Sequence, residues 1–545
     1  AALEVVWIQE VGQLLEDYFQ DRSRRTIRDL FMAAPHQALV IVDGVEVETA
    51  VTDIQVDDRL SVHATEQIPV DGEVMRGRAL VDEAHISGRA EPVLRTPGDR
   101  VFAGTTVEQG QLQVQARQVG DATYLARVVR MVEASLAQRT AAEKQADKLS
   151  SRLALLGIGA GAATFLVTGN LVNTLAVQLA LASPCATVLS ASTAVAAALA
   201  NAARNRILVK GGPYLERFGA ADCICFDKTG TLSHRRPSLA AVIPHAAGTA
   251  PEDILAAAAA AQRRHTHPIA KALVRAAPAT DRPRGGVTAS TVVPGRGVKT
   301  TIGDESLTVG NRALMRDEKI DVAGLRQAAA RLAADGCTVV YVARNGQALG
   351  MVGLKYVLDP QTARVAAQLR RDGVRSLHLL SGDSQAVVRQ TGRQLRFTRS
   401  RGDMLPTDKA AYVSRLVQSG RTVAMVGDGI NDAPALAEAH IGIAMAAGGA
   451  EAAIEAADIA LVDNRLDRLV YLRCLSHQTL HIIAQNHWFA VSTDLLSAVM
   501  ALTGRFTPLM SGIAHVFHTL VIGANSSRLL YGRPRDWGSV VDEMD

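Results

Sequence analysis

The run Cys223-Ile224-Cys225-Phe226-Asp227-Lys228-Thr229-Gly230-Thr231 decides how this chain is built. Its apolar residues end on an acid and a Gly-centred turn, the pattern of a short buried strand that stops at a sheet edge. The same pattern recurs downstream. Ser-Leu-His-Leu-Leu leads into Ser381-Gly382-Asp383, and a further run ends in Val426-Gly427-Asp428-Gly429-Ile430-Asn431-Asp432-Ala433-Pro434. Amphipathic helices separate these strands, which argues a parallel sheet with crossover connections. An acid at the carboxyl end of such a strand lies where α/β sheets bind ligands.

Chemistry follows from position. The Asp227 carboxylate can attack a phosphoryl group and form an aspartyl phosphate. The Thr229-Gly230-Thr231 turn offers N–H and hydroxyl groups to phosphate oxygens. Asp227 and Asp428 can hold one Mg²⁺ with waters and phosphate. Lys409, after Leu405-Pro406 and Asp408, supplies a point charge for the transferred group. The plain alternative is a set of Gly/Asp turns after strands.

Outward from this core, Leu153 to Ala203 contains no Asp, Glu, Lys, Arg or His. A bilayer core takes about 20 apolar residues per helix, so the stretch fits two spans with a turn near Gly169 and Asn170. A second apolar pair covers 482–503 and 508–530, with Arg505 and Pro508 at its turn. Arg22, Arg24, Arg25 and Arg28, then Arg204, Arg206 and Lys210, then Arg528, Arg533 and Arg535 flank one side. Positive residues stay inside, so the large polar segments are expected in the cytoplasm. The count of spans is then odd, and the chain is expected to lack its true N-terminus and one or more spans.

Composition narrows the class. The 545 residues are 48% hydrophobic and 21% charged, so disorder is excluded. No collagen or heptad period is present. A formal charge of +4 is nearly even for this length and makes no case for nucleic acid. Five cysteines are an odd number, too few for a disulfide framework, and suit a reducing compartment. Cys223 and Cys225 share one face of their strand and read as core, as do Cys337 and Cys474.

The Asp227-Lys228-Thr229-Gly230-Thr231 string, the later Gly427–Pro434 string and the apolar hairpins together resemble a P-type ATPase over nearly the whole chain. The resemblance implies a multidomain membrane protein. An α-helical transmembrane bundle carries a cytoplasmic β-rich actuator domain and a Rossmann-like α/β phosphorylation domain of haloacid dehalogenase type. An α+β nucleotide-binding domain is inserted in the latter. The expected boundaries are 1–24, the end of a transmembrane helix; 25–145, actuator; 150–205, a hairpin with the metal site; 206–233 and 356–478, phosphorylation; 234–355, nucleotide-binding; 479–532, the C-terminal hairpin; and 533–545, a tail. Ile68-Pro69-Val70-Asp71-Gly72 matches the actuator's usual sequence.

The resemblance also implies residue roles. Asp227 is the residue phosphorylated by ATP, served by Lys228, Thr229, Asp383, Lys409, Asp428, Asn431 and Asp432, with Mg²⁺ at Asp227, Asp428 and Thr229. Gln262, His267, Pro268, Gly295, Gly297, Thr229 and Gly382 are implied around the nucleotide; Thr266-His267-Pro268 is similar to the His-Pro motif of heavy-metal members. Ser183-Pro184-Cys185 resembles the metal-site tripeptide of the Ser-Pro-Cys subgroup, and Pro184 frees backbone carbonyls within the membrane. Asp494, His515 and His518 add ionisable groups at membrane depth, where such groups are usually functional. His515 aligns with the His of a His-Glu-Gly-Gly motif, although Val516 and Phe517 replace the next two residues. One thiolate with imidazole, carboxylate and hydroxyl suits Zn²⁺ or Co²⁺, with Ni²⁺ and Fe²⁺ as alternatives, while Cu⁺ favours more sulfur.

The pattern also breaks. Ser87-Gly88-Arg89 stands where the actuator usually reads Thr-Gly-Glu; a guanidinium is no base, and Glu91 lies nearby. Tyr356 replaces a usual Asp, and Gln262 a usual Glu. The expected function is ATP-driven export of a divalent transition metal across the plasma membrane. The alternatives are a slow-cycling homologue blocked by Arg89, a pump for another cation such as K⁺, and a soluble phosphatase.

Overall fold

The computed structural model describes residues 7, 10–15, 17–18, 35, 37–83, 92–127, 130, 134, 138–181, 185–233, 237–265, 267–277, 287–293, 295–429, 432–446, 455–532 and 534. They form two compact units, one of residues 221–445 and one of the flanking 1–220 and 446–545.

In the unit 221–445, the strands Arg399–Arg401, Ser376–Leu380, Cys223–Asp227, Val423–Gly427 and Ile441–Met445 lie side by side in that order. Cys223–Asp227 and both of its neighbours run parallel. Each of these three is buried along its length, as a strand covered by helices on both faces must be. The central strand is Cys223–Asp227, so Asp227 stands in the middle of the carboxyl edge.

The segment between Thr231 and Tyr356 builds its own six-stranded antiparallel sheet. Along Cys337–Arg344 the side chains alternate between two cores. Val340 and Val342 pack with Ile254, Leu255, Leu273 and Leu307, beneath helices Pro251–Gln262 and Pro268–Ala276. Tyr341 and Ala343 pack with Met315, Ile320 and Leu325 on the other face.

In the flanking unit, residues 37–118 form a seven-stranded antiparallel sheet. Its longest pair, Asp71–Asp82 with Thr106–Gln118, carries three register shifts. At Gly77 (φ +94°) a Cβ would stand 2.2 Å from the Gln111 carbonyl oxygen, so the strands approach this closely because no side chain is there. Asp71 is buried at 4% exposure and accepts from the Ala103 and Tyr124 amides at 2.7 and 2.5 Å. The Ile68–Gly72 string therefore holds the end of this sheet together.

Among the described residues, the helices of this unit include Ala141–Thr168, Leu171–Leu181, Cys185–Arg204, Asp467–Leu502 and Pro508–Tyr531. Thr140 and Glu143 form a capping box at the start of the first. Gly169 ends it in the left-handed conformation at φ +63°, the turn the sequence places there. The uncharged stretch 153–203 holds parts of three helices, with Pro184, which has no N–H to donate, lying between the last two. Among the described residues, only Ala141–Thr168 is long and apolar enough by length and composition to cross a membrane. Helix Asp467–Leu502 falls below that measure because it carries His481, Asn486, His487 and Asp494; Pro508–Tyr531 carries His515, His518 and Asn525. Helix Asp467–Leu502 runs unbroken through position 479. Leu155, Leu166, Val167, Trp488, Leu496 and Phe517 are exposed, the surface expected of helices solvated by lipid.

Candidate active site

Three parallel strand ends bring Asp227, Asp383 and Asp428 to one edge. Helix Pro406–Gln418 opens beside them, and Lys409 lies buried in its first turn. Its Nζ donates to Asp227 Oδ1 at 2.6 Å and to Asp432 Oδ1 at 2.7 Å. Asp432 Oδ2 accepts from the Asp428 amide at 3.3 Å. Gly427 leaves the room: a Cβ there would stand 2.5 Å from Asp432 Oδ2. One ammonium thus faces several carboxylates in a dry site.

The electrostatics follow. The Asp227 carboxyl is pushed up to about 7 by burial first, then by Asp432, against the pull of Lys409, with Asp428 adding. Burial pulls the Lys409 ammonium down, but Asp227 and Asp432 outweigh it and the net movement is upward. The two directions agree: the lysine has two carboxylates, whereas Asp227 shares its lysine with other acids. An acidic surplus of this kind fits a divalent cation, and Asp227 and Asp428 are the oxygen donors for it. Thr231 Oγ1 is buried with no hydrogen-bond partner among the described residues, a free hydroxyl suited to a phosphoryl oxygen.

Lys228 does not point at Asp227. Its buried Nζ pairs with Asp383 Oδ2, and it lies 4.9 Å from the Tyr356 ring centroid. Thr338 Oγ1 donates to Asp383 Oδ1 at 3.4 Å. Burial, then Asp383 and Asp227, push the Tyr356 phenol upward, so it stays neutral. Thr229 is half-buried in the turn after Asp227, and Gly382 follows the neighbouring strand. Asn431 lies outside the described residues.

The sequence points to the Thr231 hydroxyl through its place in the turn after Asp227, but it carries no signal for Thr338 or for the Tyr356–Lys228 contact.

On the inserted domain, His267 caps helix Pro268–Ala276, its Nδ1 accepting from the Ile269 amide at 3.2 Å. Burial pulls its pKa down, with Asp383 opposing. Pro268 occupies the first helical position, where a proline is at home. Gln262, at the end of Pro251–Gln262, is buried. Gly295 has φ +70° and Gly297 φ +152°; a Cβ on Gly297 would meet the Val309 carbonyl oxygen at 2.2 Å. Their backbone geometry alone demands glycine.

Of the implied membrane ligands, Ser183 lies outside the described residues, as do Arg89 and Glu91. Cys185 opens helix Cys185–Arg204. Asp494 and His518 are brought together, Oδ1 to Nδ1 3.4 Å, with Phe489 edge-on to the imidazole at 5.6 Å. His515 lies beside Gly12, where a Cβ would stand 3.0 Å from its ring. A buried polar cluster not anticipated from sequence stands in the same bundle: Ser526 Oγ is 3.1 Å from both Thr193 Oγ1 and Asn486 Nδ2.

Comparison with known proteins agrees with this arrangement. Residues 221–440 match the family model of haloacid dehalogenase-like hydrolases, and 32–133 that of the P-type ATPase actuator domain. A manganese-exporting P-type ATPase of Mycobacterium bovis is 34% identical over 541 residues, covering 97% of this chain and 75% of that protein. A Mycobacterium tuberculosis protein named "Probable copper-exporting P-type ATPase V" is 36% identical over 95% of this chain and 68% of its own length. A crystal structure of a zinc-transporting PIB-type ATPase in the E2.Pi state superposes with TM-score 0.59 at 29% identity, covering 97% of this chain and 86% of that one.

Proposed function

Because this chain belongs to the heavy-metal-exporting P-type ATPases, we propose that Asp227 carries the phosphoryl group through which it spends ATP, and that its cargo is a divalent transition metal, Zn²⁺ or Co²⁺. The observation that carries the reading is Lys409 bridging Asp227 and Asp432 at the edge where Asp428 also ends. One Asp227 oxygen attacks the γ-phosphorus, and the bond to the β–γ bridging oxygen breaks with its electron pair leaving on ADP. Lys409 meets the charge of the transferred group, which is most of what phosphoryl transfer asks of a protein. Thr231 Oγ1 and the turn amides hold the phosphoryl oxygens. Mg²⁺ at Asp227 and Asp428, with Thr229 alongside, supplies charge neutralisation. Lys228, pinned by Asp383, fixes the loop that follows the nucleophile. Water attack on phosphorus later breaks the acyl phosphate and returns the carboxylate.

His267, Gln262, Pro268, Gly295, Gly297 and Gly382 are the groups we place around ATP. Ser183, Cys185, Asp494, His515 and His518 are those we place around the metal. The donor set of one thiol, imidazoles, a carboxylate and a hydroxyl favours borderline ions over Cu⁺. The related proteins are named for manganese, copper and zinc, so the metal rests on the donor set alone. The arginines beside the helices support catalytic domains in the cytoplasm and a plasma-membrane location. The slow-cycling alternative rests on Arg89 and finds no support among the relatives.

Radiolabelled ATP is the test. An acid-stable, hydroxylamine-sensitive label appears in the parent protein and disappears in Asp227→Asn. Phosphate release rises with Zn²⁺ or Co²⁺ and loses that response in Cys185→Ala. Absence of the label under every ionic condition overturns the mechanism; stimulation by Mn²⁺ or Cu⁺ alone overturns the cargo.

A further inference from the structure

Cys223 and Cys225 point from one face of the central strand, and His378 stands opposite Cys225 on the neighbouring parallel strand. One ligand atom from each lies within 4.8 Å of the other two, and all three residues are buried. We propose that Cys223 Sγ, Cys225 Sγ and His378 form a second metal site in the phosphorylation domain, taking a thiophilic ion of the Zn²⁺ type. The proposal does not depend on which metal is the cargo, nor on turnover.

Around a tetrahedral ion with bonds of about 2.0–2.3 Å, ligands stand about 3.5 Å apart, so a movement of about 1 Å closes the cluster. The imidazole is already oriented. Tyr412 Oη lies 3.1 Å from His378 Nδ1, and with Nδ1–H donating to it the Nε2 lone pair is left for an ion. Burial, then Arg399 and Arg421, hold the imidazole neutral, the form that ligates. Two thiolates and a divalent ion sum to zero, so these arginines do not repel the loaded site. Arg421 is itself tied to Ser376, the cross-strand neighbour of Cys223, at 2.8 Å. Tyr412 is half-buried. A packed thiol pair explains two buried cysteines; it does not explain why a buried, pre-oriented imidazole converges on both. Cys225 precedes Asp227 on the same strand, so an ion here stiffens the strand that carries the nucleophile.

The test is binding. Detergent-solubilised Cys185→Ala protein, whose transport site has lost its thiol, retains a Zn²⁺ equivalent that disappears when Cys223→Ser and Cys225→Ser are added. With Co²⁺ it shows a thiolate charge-transfer band that the further variant lacks. Equal stoichiometry in the two proteins, or no such band, overturns the site. A measurement on the parent avoids any core substitution. In mild urea, Cd²⁺ slows alkylation of Cys223 and Cys225 together, read by peptide mass, while Cys337 labels at an unchanged rate. Equal rates with and without Cd²⁺ overturn the proposal.

Discussion

Replacing Asp227 by Asn keeps the side chain's shape and removes its charge. Asp227 is 5% exposed, and its carboxyl is raised from 3.8 to about 7 by burial and by Asp432, with Lys409 opposing and Asp428 adding. A raised carboxyl means that ionising it opposes folding. Below pH about 4 the group is protonated in both states and contributes nothing. As pH rises, the unfolded chain ionises first and the folded state falls behind; above pH about 7 the whole penalty stands. At about 1.4 kcal/mol per pH unit the ceiling is about 4 kcal/mol. Lys409 loses one of two partners in the variant but keeps Asp432 at 2.7 Å. The expected gain at pH about 8 is therefore about 2–4 kcal/mol, or about 5–12 °C in the melting of a domain of this size. The assay is thermal unfolding of parent and variant in detergent, without Mg²⁺, at pH about 5 and about 8. The gain is small at the lower pH, large at the higher, and reduced when Mg²⁺ is added to the parent. A variant that is less stable at high pH, or shifted equally at both, refutes the reasoning. Lys409→Met has the opposite sign: it leaves Asp227 and Asp432 buried without their cation and loses about 3–5 kcal/mol.

Two further outcomes follow from the inserted domain. His267→Ala raises KM for ATP by about 5–10-fold with kcat unchanged, and costs about 1 kcal/mol of stability through the lost cap. His267→Asn restores the cap and not the KM; a KM unchanged in both removes His267 from the nucleotide site. Gly297→Ala drives a Cβ into the Val309 carbonyl oxygen at 2.2 Å and loses about 2 kcal/mol or more, read as faster amide exchange along Gly297–Ile302. Unchanged exchange means that the strands do not close as the structure has them.

The strand that ends at Asp227, the acids at its neighbours' ends and Lys409 one turn into a helix are all legible in the chain, because hydrophobic period and Gly/Asp turns are local signals. So is the common face of Cys223 and Cys225, which period two dictates. The turn at Gly169 inside the uncharged stretch 153–203 is legible as well, whereas the separation of helices Leu171–Leu181 and Cys185–Arg204 is seen only in the structure. Only folding decides that Lys228 turns to Asp383 and the Tyr356 ring, that one lysine serves both Asp227 and Asp432, and that His378 arrives beside the two thiols. Those contacts join residues far apart in sequence. They are set by strand order, register and the close packing of side chains, none of which a local pattern carries.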